Sequence, residues 1–151
     1  MVPVLFHFDC DANSLDEITN TLQNYLHATL IWAHSGDAQP QRIRPMLKVY
    51  DNLPLDISSR NPLVSFEDHL TIKKLQRLDE EDGTLKMDWK ELLSDCAHRV
   101  YYGSAVSPNG RREEYAETQE YYRGILAQLD PEVPEIFAYK NAQNIFGLSV
   151  T

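Results

Sequence analysis

The spacing of apolar residues changes along the chain, and that change limits the folds open to it. Residues 2–11 alternate, with Val2, Val4, Phe6, Phe8 and Cys10 on one side and Leu5, His7, Asp9 and Asp11 on the other. That is the period-two pattern of a strand with one face in a core. From residue 89 the spacing lengthens to three or four: Trp89, Leu92, Leu93, Cys96 and Val100 form one helical stripe, introduced by Asp88 as cap. Tyr115, Tyr122, Ile125, Leu126 and Leu129 form a second within 111–129, and Asp130-Pro131 closes it. Between these regions, Ser14 and Glu17 make a capping box that opens a helix carrying Leu15, Ile18 and Leu22. Residues 29–33 and 46–50 read as strands, 51–62 as an irregular loop, and 144–150 as a last edge strand. Residues 65–78 fit either a helix or a strand, with helix preferred. Strands early and helices late predict one α+β domain spanning 1–151, a small mixed or antiparallel sheet covered on one face by three to four helices.

A chain of 151 residues is long enough to bury roughly 70% of the surface its unfolded form exposes. The apolar runs, such as residues 30–33, are far short of the roughly 20 residues that cross a bilayer. With no basic region ahead of an apolar leader at the N-terminus, the expected location is cytoplasmic, away from membranes. Cys10 and Cys96 are too few for a disulfide framework and read as buried thiols. The net charge is −9, unevenly spread. Residues 1–40 hold five acids and no Lys or Arg, 41–78 hold seven bases against four acids, and 79–151 hold fourteen acids against seven bases. Such a field repels phosphate backbones, so nucleic acid is excluded as the expected partner and a basic protein is favoured. No cofactor motif is present.

The densest group of potentially reactive residues is "FHFDCDANSLDEI", residues 6–18. On a continuous strand, His7, Asp9 and Asp11 would project together and offer an imidazole and two carboxylates to one metal ion, with a distal ligand drawn from His34, His69 or His98. An EF-hand alignment starting at Asp9 fails, since Ser14 stands at the glycine position and Asn20 at the final glutamate. The apolar stretch ending in Asp9-Cys10-Asp11 resembles the opening motif of haloacid-dehalogenase-type phosphatases. That resemblance implies a nucleophile at Asp9 and a general acid/base at Asp11. Asn13 departs from the Thr or Val usual there, and no later strand ends in the acidic pair that family uses. There is no GxSxG, P-loop or HExxH pattern, and Cys96 and His98, two apart on a helix, face away from each other.

The stretch 111–129 carries Glu113, Glu114, Glu117 and Glu120 beside Tyr121, which lies off the apolar stripe. Acids beside an exposed Tyr suit a face that steers and contacts a basic partner. The sequence therefore favours a small acidic protein-binding module over an enzyme. Its most concrete form is an inhibitor or immunity-type protein covering a basic enzyme such as a nuclease. The alternative is a small metal-dependent hydrolase or phosphatase using His7, Asp9 and Asp11.

Overall fold

Each strand among the described residues of this protein is only two or three residues long. A computed structural model describes residues 2–8, 10–63, 77–105 and 112–148, with the backbone alone for 12–14. The strands are β1 (Val4–Phe6), β2 (Leu30–Trp32), β3 (Leu55–Asp56) and β4 (Val100–Tyr101). They form one sheet in the order β1-β2-β3-β4, and every neighbouring pair is parallel. Helix α1 (Ala12–Asn24) follows β1, α2 (Pro40–Val49) follows β2, and α3 (Met87–Asp95) lies between β3 and β4. After β4 come α4 (Tyr115–Leu126), α5 (Val133–Glu135), a π-helical segment at Ile136–Lys140 and α6 (Asn141–Phe146). No helix is long and apolar enough to cross a membrane among the described residues.

This is an α/β fold, and it corrects the expected α+β arrangement with its mixed or antiparallel sheet. Residues 46–50, expected as a strand, are the last turn of α2 and its exit: Ile43 and Leu47 are buried one helical turn apart while Val49 is exposed. The true third strand lies inside the supposed loop, where Leu53, Leu55 and Ile57 are all fully buried. The stripe beginning at Trp89 breaks at Asp95, so that Val100 enters the sheet. Residues 141–146 are helical, closed by Gly147 in the left-handed conformation, where an edge strand was expected. Helix α1 starts at Ala12, which places Ser14 inside its first turn instead of at its cap. Residues 64–76, and with them nearly all of the ambiguous 65–78 stretch, lie outside the described residues.

One row of side chains runs across the sheet. Phe6 is in register with Trp32, Trp32 with Leu55, and Leu55 with Val100. The last three are completely buried beneath the helices, and Phe6 stacks on Trp32 with ring centroids 6.5 Å apart. Because side chains alternate, the next row, Asp56 beside Tyr101, faces the opposite side. Arg99 ties α2 to the sheet by donating to the carbonyls of Leu47 (2.7 Å), Tyr50 and Leu53 (2.8 Å). The outer edge of β4 is covered: Asn141 Nδ2 donates to Val100 O at 2.6 Å and Ala97 O at 2.7 Å, and Tyr102 N donates to Phe137 O at 3.4 Å.

Helix α4 packs through two adjacent tyrosines. Tyr122 OH donates to Ile57 O (2.6 Å) and accepts from Arg60 N (3.1 Å). Tyr121 OH donates to Asp79 Oδ1 at 2.7 Å and lies 3.3 Å from Arg60 O. Burial pushes the Asp79 carboxyl up, but the hydrogen bonds from Arg77 and Tyr121 outweigh it and hold the group below its ordinary value of 3.8.

Two predictions follow from this packing. Gly36 has φ +59, and a Cβ there would meet Trp32 Cζ2 at 2.1 Å. Gly36→Ala is expected to cost roughly 3 kcal/mol in denaturant unfolding, against about 1 kcal/mol for Gly83→Ala, which has φ +85 and open space around it. Equal costs at the two glycines would refute the Trp32 contact as the cause. Asp79 contributes stability above pH 3.8 that is lost as pH falls through its lower folded value. Tyr121→Phe should therefore lose about 1–2 kcal/mol at neutral pH, with the deficit shrinking below pH 3.8 in a pH series of unfolding curves. A deficit independent of pH would remove the Tyr121–Asp79 coupling.

Candidate active site

In a parallel sheet the carboxyl ends of all strands lie on one edge, so the residues just beyond them converge there. In this chain those residues are His7 after β1, His34 and Ser35 after β2, Asp56 and Ser58 at the end of β3, and Tyr102 and Gly103 after β4. The backbone is strained at the same edge. Among the described residues the non-glycine positions with positive φ are His34 (53°), Ser35 (51°), Asp37 (51°), Ser59 (60°) and Ala105 (47°), each just beyond the end of β2, β3 or β4. Such conformations persist only where surrounding contacts enforce them, and they gather at functional sites.

Asp56 is the hub of those contacts. Its Oδ1 accepts from Ser58 N at 3.0 Å, and its Oδ2 accepts from Ser58 Oγ and from His34 N at 3.3 Å. Its main-chain oxygen accepts from the fully buried Ser35 Oγ at 3.0 Å. Gly103 closes over the carboxylate so tightly that a Cβ would sit 2.7 Å from Oδ1. Only glycine permits this approach.

The His34 ring completes the network. Its Nδ1 lies 2.8 Å from Ser58 Oγ and 3.0 Å from Ser58 O. The Ser58 hydroxyl proton is given to Asp56, and a carbonyl can only accept, so the hydrogen-bond pattern assigns the imidazole proton to Nδ1. Nε2 is left with its lone pair. Asp56 Oδ2 lies 3.8 Å from Nδ1. The His7 ring meets His34 edge-on, with centroids 5.0 Å apart and an interplanar angle of 80°. The pair thus presents two imidazoles at the carboxyl edge, one with its tautomer fixed by a serine and an aspartate.

Of the residues singled out from the sequence, His7 and His34 come together here. Asp9 and His69 lie outside the described residues. Asp11 is exposed beside the start of α1, because β1 ends at Phe6 and the expected alternation does not continue to residue 11. His98 is exposed in the turn leading into β4, at the opposite edge of the sheet. Among the described residues no three His, Cys, Asp or Glu side chains are grouped to hold a metal. Cys10 and Cys96 are half-buried against the core, and burial pushes both thiols up. Glu113, Glu117 and Glu120 are solvated, Glu120 lying 3.8 Å from Arg123, while Glu114 precedes α4 and is partly buried. Tyr121, expected on that outer face, turns inward to Asp79.

Asp56, Ser58, Arg60 and Gly103 were not singled out from the sequence. Their signal is the repeated pairing of a brief apolar segment with small polar residues, in "LIWAHSG", "LPLDISS" and "VYYGS".

No family model and no curated protein matches the sequence. Solved structures do match its fold. A TIM-barrel protein of uncharacterized function from Bordetella bronchiseptica superposes with TM-score 0.64 at 17% identity, over 97% of this chain and 46% of that one. A putative 2-pyrone-4,6-dicarboxylic acid hydrolase from Pseudomonas putida gives TM-score 0.64 at 13% identity, over 99% of this chain and 53% of that one. A probable hydrolase of the same name from Acinetobacter baumannii, solved with citric acid bound, gives 0.62 at 13% identity, over 96% and 52%. The chain spans about half the length of these proteins. They overturn the inhibitor or immunity-type reading, which rested on charge alone: the chain has the parallel βα architecture of TIM-barrel proteins, two of them named as hydrolases.

Proposed function

We propose that this chain carries a hydrolase centre in which His34 activates water against the carbonyl of a small lactone or ester. The observation that carries the reading is the contact of His34 Nδ1 with Ser58, with Asp56 behind it, at the carboxyl edge of a parallel sheet; that contact assigns the ring proton to Nδ1. A base held this way has one free nitrogen and a nearby counter-charge for the proton it takes. Water would attack the carbonyl carbon while His34 Nε2 accepts its proton. The ring carbon–oxygen bond then breaks, and His34 returns the proton to the leaving oxygen, giving the open-chain hydroxy acid or its keto form. The Asp56 carboxylate, 3.8 Å from Nδ1, offsets the imidazolium charge that forms. His7, edge-on to His34, would hydrogen-bond the substrate in this reading.

The names of two structural neighbours suggest 2-pyrone-4,6-dicarboxylate as the first probe. The net charge of −9 adds a constraint on substrate class, because it repels a dianion at long range. A neutral lactone is therefore the better substrate at low salt.

The test is ring opening of the dicarboxylate and of uncharged lactones, followed by ultraviolet absorbance. His34→Asn is expected to lower kcat/KM about 10²–10⁴-fold, and Ser58→Ala, which loses one orienting hydrogen bond, roughly tenfold. Raising ionic strength should speed turnover of the dianion and leave the neutral lactone unchanged. Full turnover by His34→Asn would sink the proposal, as would an absence of hydrolysis with every lactone and ester tried.

A further inference from the structure

Arg60 is a cation with almost no access to water: 1% of its surface is exposed, although its backbone lies only two residues beyond Ser58. Its side chain reaches the turn after β2. Nε donates to His34 O at 2.8 Å, while Nη2 donates to Ala38 O at 2.7 Å and lies 3.4 Å from Ser35 O. The guanidinium carbon sits 4.6 Å above the Trp89 ring. The carbonyls that it gathers belong to a segment in which His34, Ser35, Gly36 and Asp37 all have φ between 51° and 59°. Consecutive left-handed residues are unfavourable for L-amino acids; Ser35 O and Gly36 O accept from Ala38 N (3.1 Å) and Cys10 N (2.8 Å), and the guanidinium supplies donors to the His34 and Ala38 carbonyls. A planar fork with several fixed donors can satisfy them together, whereas a lysine cannot span them.

We infer that Arg60 is the positioning residue of the site, holding the His34 backbone in its left-handed conformation so that the imidazole meets Ser58. The geometry is a closed circuit. Asp56 and Ser58 grip the His34 amide and ring from β3, and Arg60, from the same loop, grips the His34 carbonyl from the other side. Helix α4 fixes the far end, since Tyr122 OH accepts from Arg60 N and Tyr121 OH approaches Arg60 O. Asp37 and Asp56 supply the acidic charges that act on the guanidinium, while burial brings its pKa down to about 10, so it stays charged at neutral pH. The inference deepens the proposed role of His34 and rests on it.

The experiment reads the His34 ring directly, by two-bond nitrogen–proton NMR correlation of the wild-type chain, Arg60→Met, Arg60→Lys and Ser58→Ala. In the wild type the neutral ring is expected as the Nδ1–H tautomer. Arg60→Met, which keeps volume beside Trp89 but removes every donor, should return His34 to a mixture dominated by the solution-preferred Nε2–H form, with the His7 signals moving in parallel. Arg60→Lys should be intermediate. Ser58→Ala removes the hydroxyl contact to Nδ1 but keeps the 3.0 Å contact to Ser58 O and the clamp, so it should shift the tautomer less than Arg60→Met and leave the amide signals of residues 35–37 unaltered. A folded Arg60→Met or Arg60→Lys chain whose His34 tautomer and residue 35–37 amides match the wild type would overturn the inference. Should Arg60→Met fail to fold, Arg60→Lys carries the same test. The readout is independent of turnover: an inactive wild type with the expected tautomer shifts would remove the hydrolase reading and leave Arg60 as the element that sets His34.

Discussion

The buried guanidinium of Arg60 is the constraint on which the carboxyl edge of this sheet depends. Taking such a charge out of water is costly, and it is tolerated only where donors are matched and acidic charge is near. Here the main-chain carbonyls of the His34 turn provide the acceptors, Trp89 a π face, and Asp37 and Asp56 the charge. The compensation works in both directions. Without the cation the His34 and Ala38 carbonyls would lose the donors it supplies, at about 1–3 kcal/mol for each group left unsatisfied. Without the left-handed turn the guanidinium would lose the His34 and Ser35 carbonyls. Each half supports the other, so the ends of β2 and β3 are tied together at the carboxyl edge.

The same economy explains why strands of two or three residues suffice. A short parallel strand offers few ladder hydrogen bonds, and parallel pairing gives slightly less per residue than antiparallel. The sheet is therefore held from outside its ladder. Arg99 pins the α2–β3 connection, Asn141 and Phe137 cover the β4 edge, and the Phe6–Trp32–Leu55–Val100 row buries its large apolar surfaces under the helices. Pro3, beside β1, lacks a backbone N–H, one of the devices by which proteins blunt an edge. Four strands with managed edges thus form a layer with its own core, although the structures that share the fold are about twice as long.

Much of the helical content was readable in the sequence because helices here are long enough to repeat. Ile18 and Leu22 in α1, Trp89, Leu92 and Leu93 in α3, and Tyr122 and Ile125 in α4 are buried where their spacing places them. Strands were not readable for the opposite reason. Period-two alternation needs four or more residues to be distinguishable, and β3 and β4 have two each. Residues 2–11 showed excellent alternation, yet only Val4–Phe6 pair. Past Phe6 the chain turns aside so that Phe8 O accepts from the Trp32 indole and Cys10 N donates to Gly36 O. The α2 segment at 46–50, rich in residues that suit either state, hides the βα alternation when taken as extended.

The site shows a similar divide between composition and position. His7 drew attention because acids cluster near it in sequence, but its partner in space is His34, from the next βα unit. Asp56 and Ser58 look unremarkable in "LPLDISSR", since an acid and two serines in a loop are ordinary solvated residues. What changes their chemistry is burial: Asp56 is 8% and Ser58 2% exposed, so the hydroxyl and carboxylate must satisfy each other and the His34 ring instead of water. That requirement fixes the tautomer of His34, and the fixed tautomer leaves a free Nε2. In this fold the orientation of the His34 ring is a consequence of how a buried aspartate obtains its hydrogen bonds.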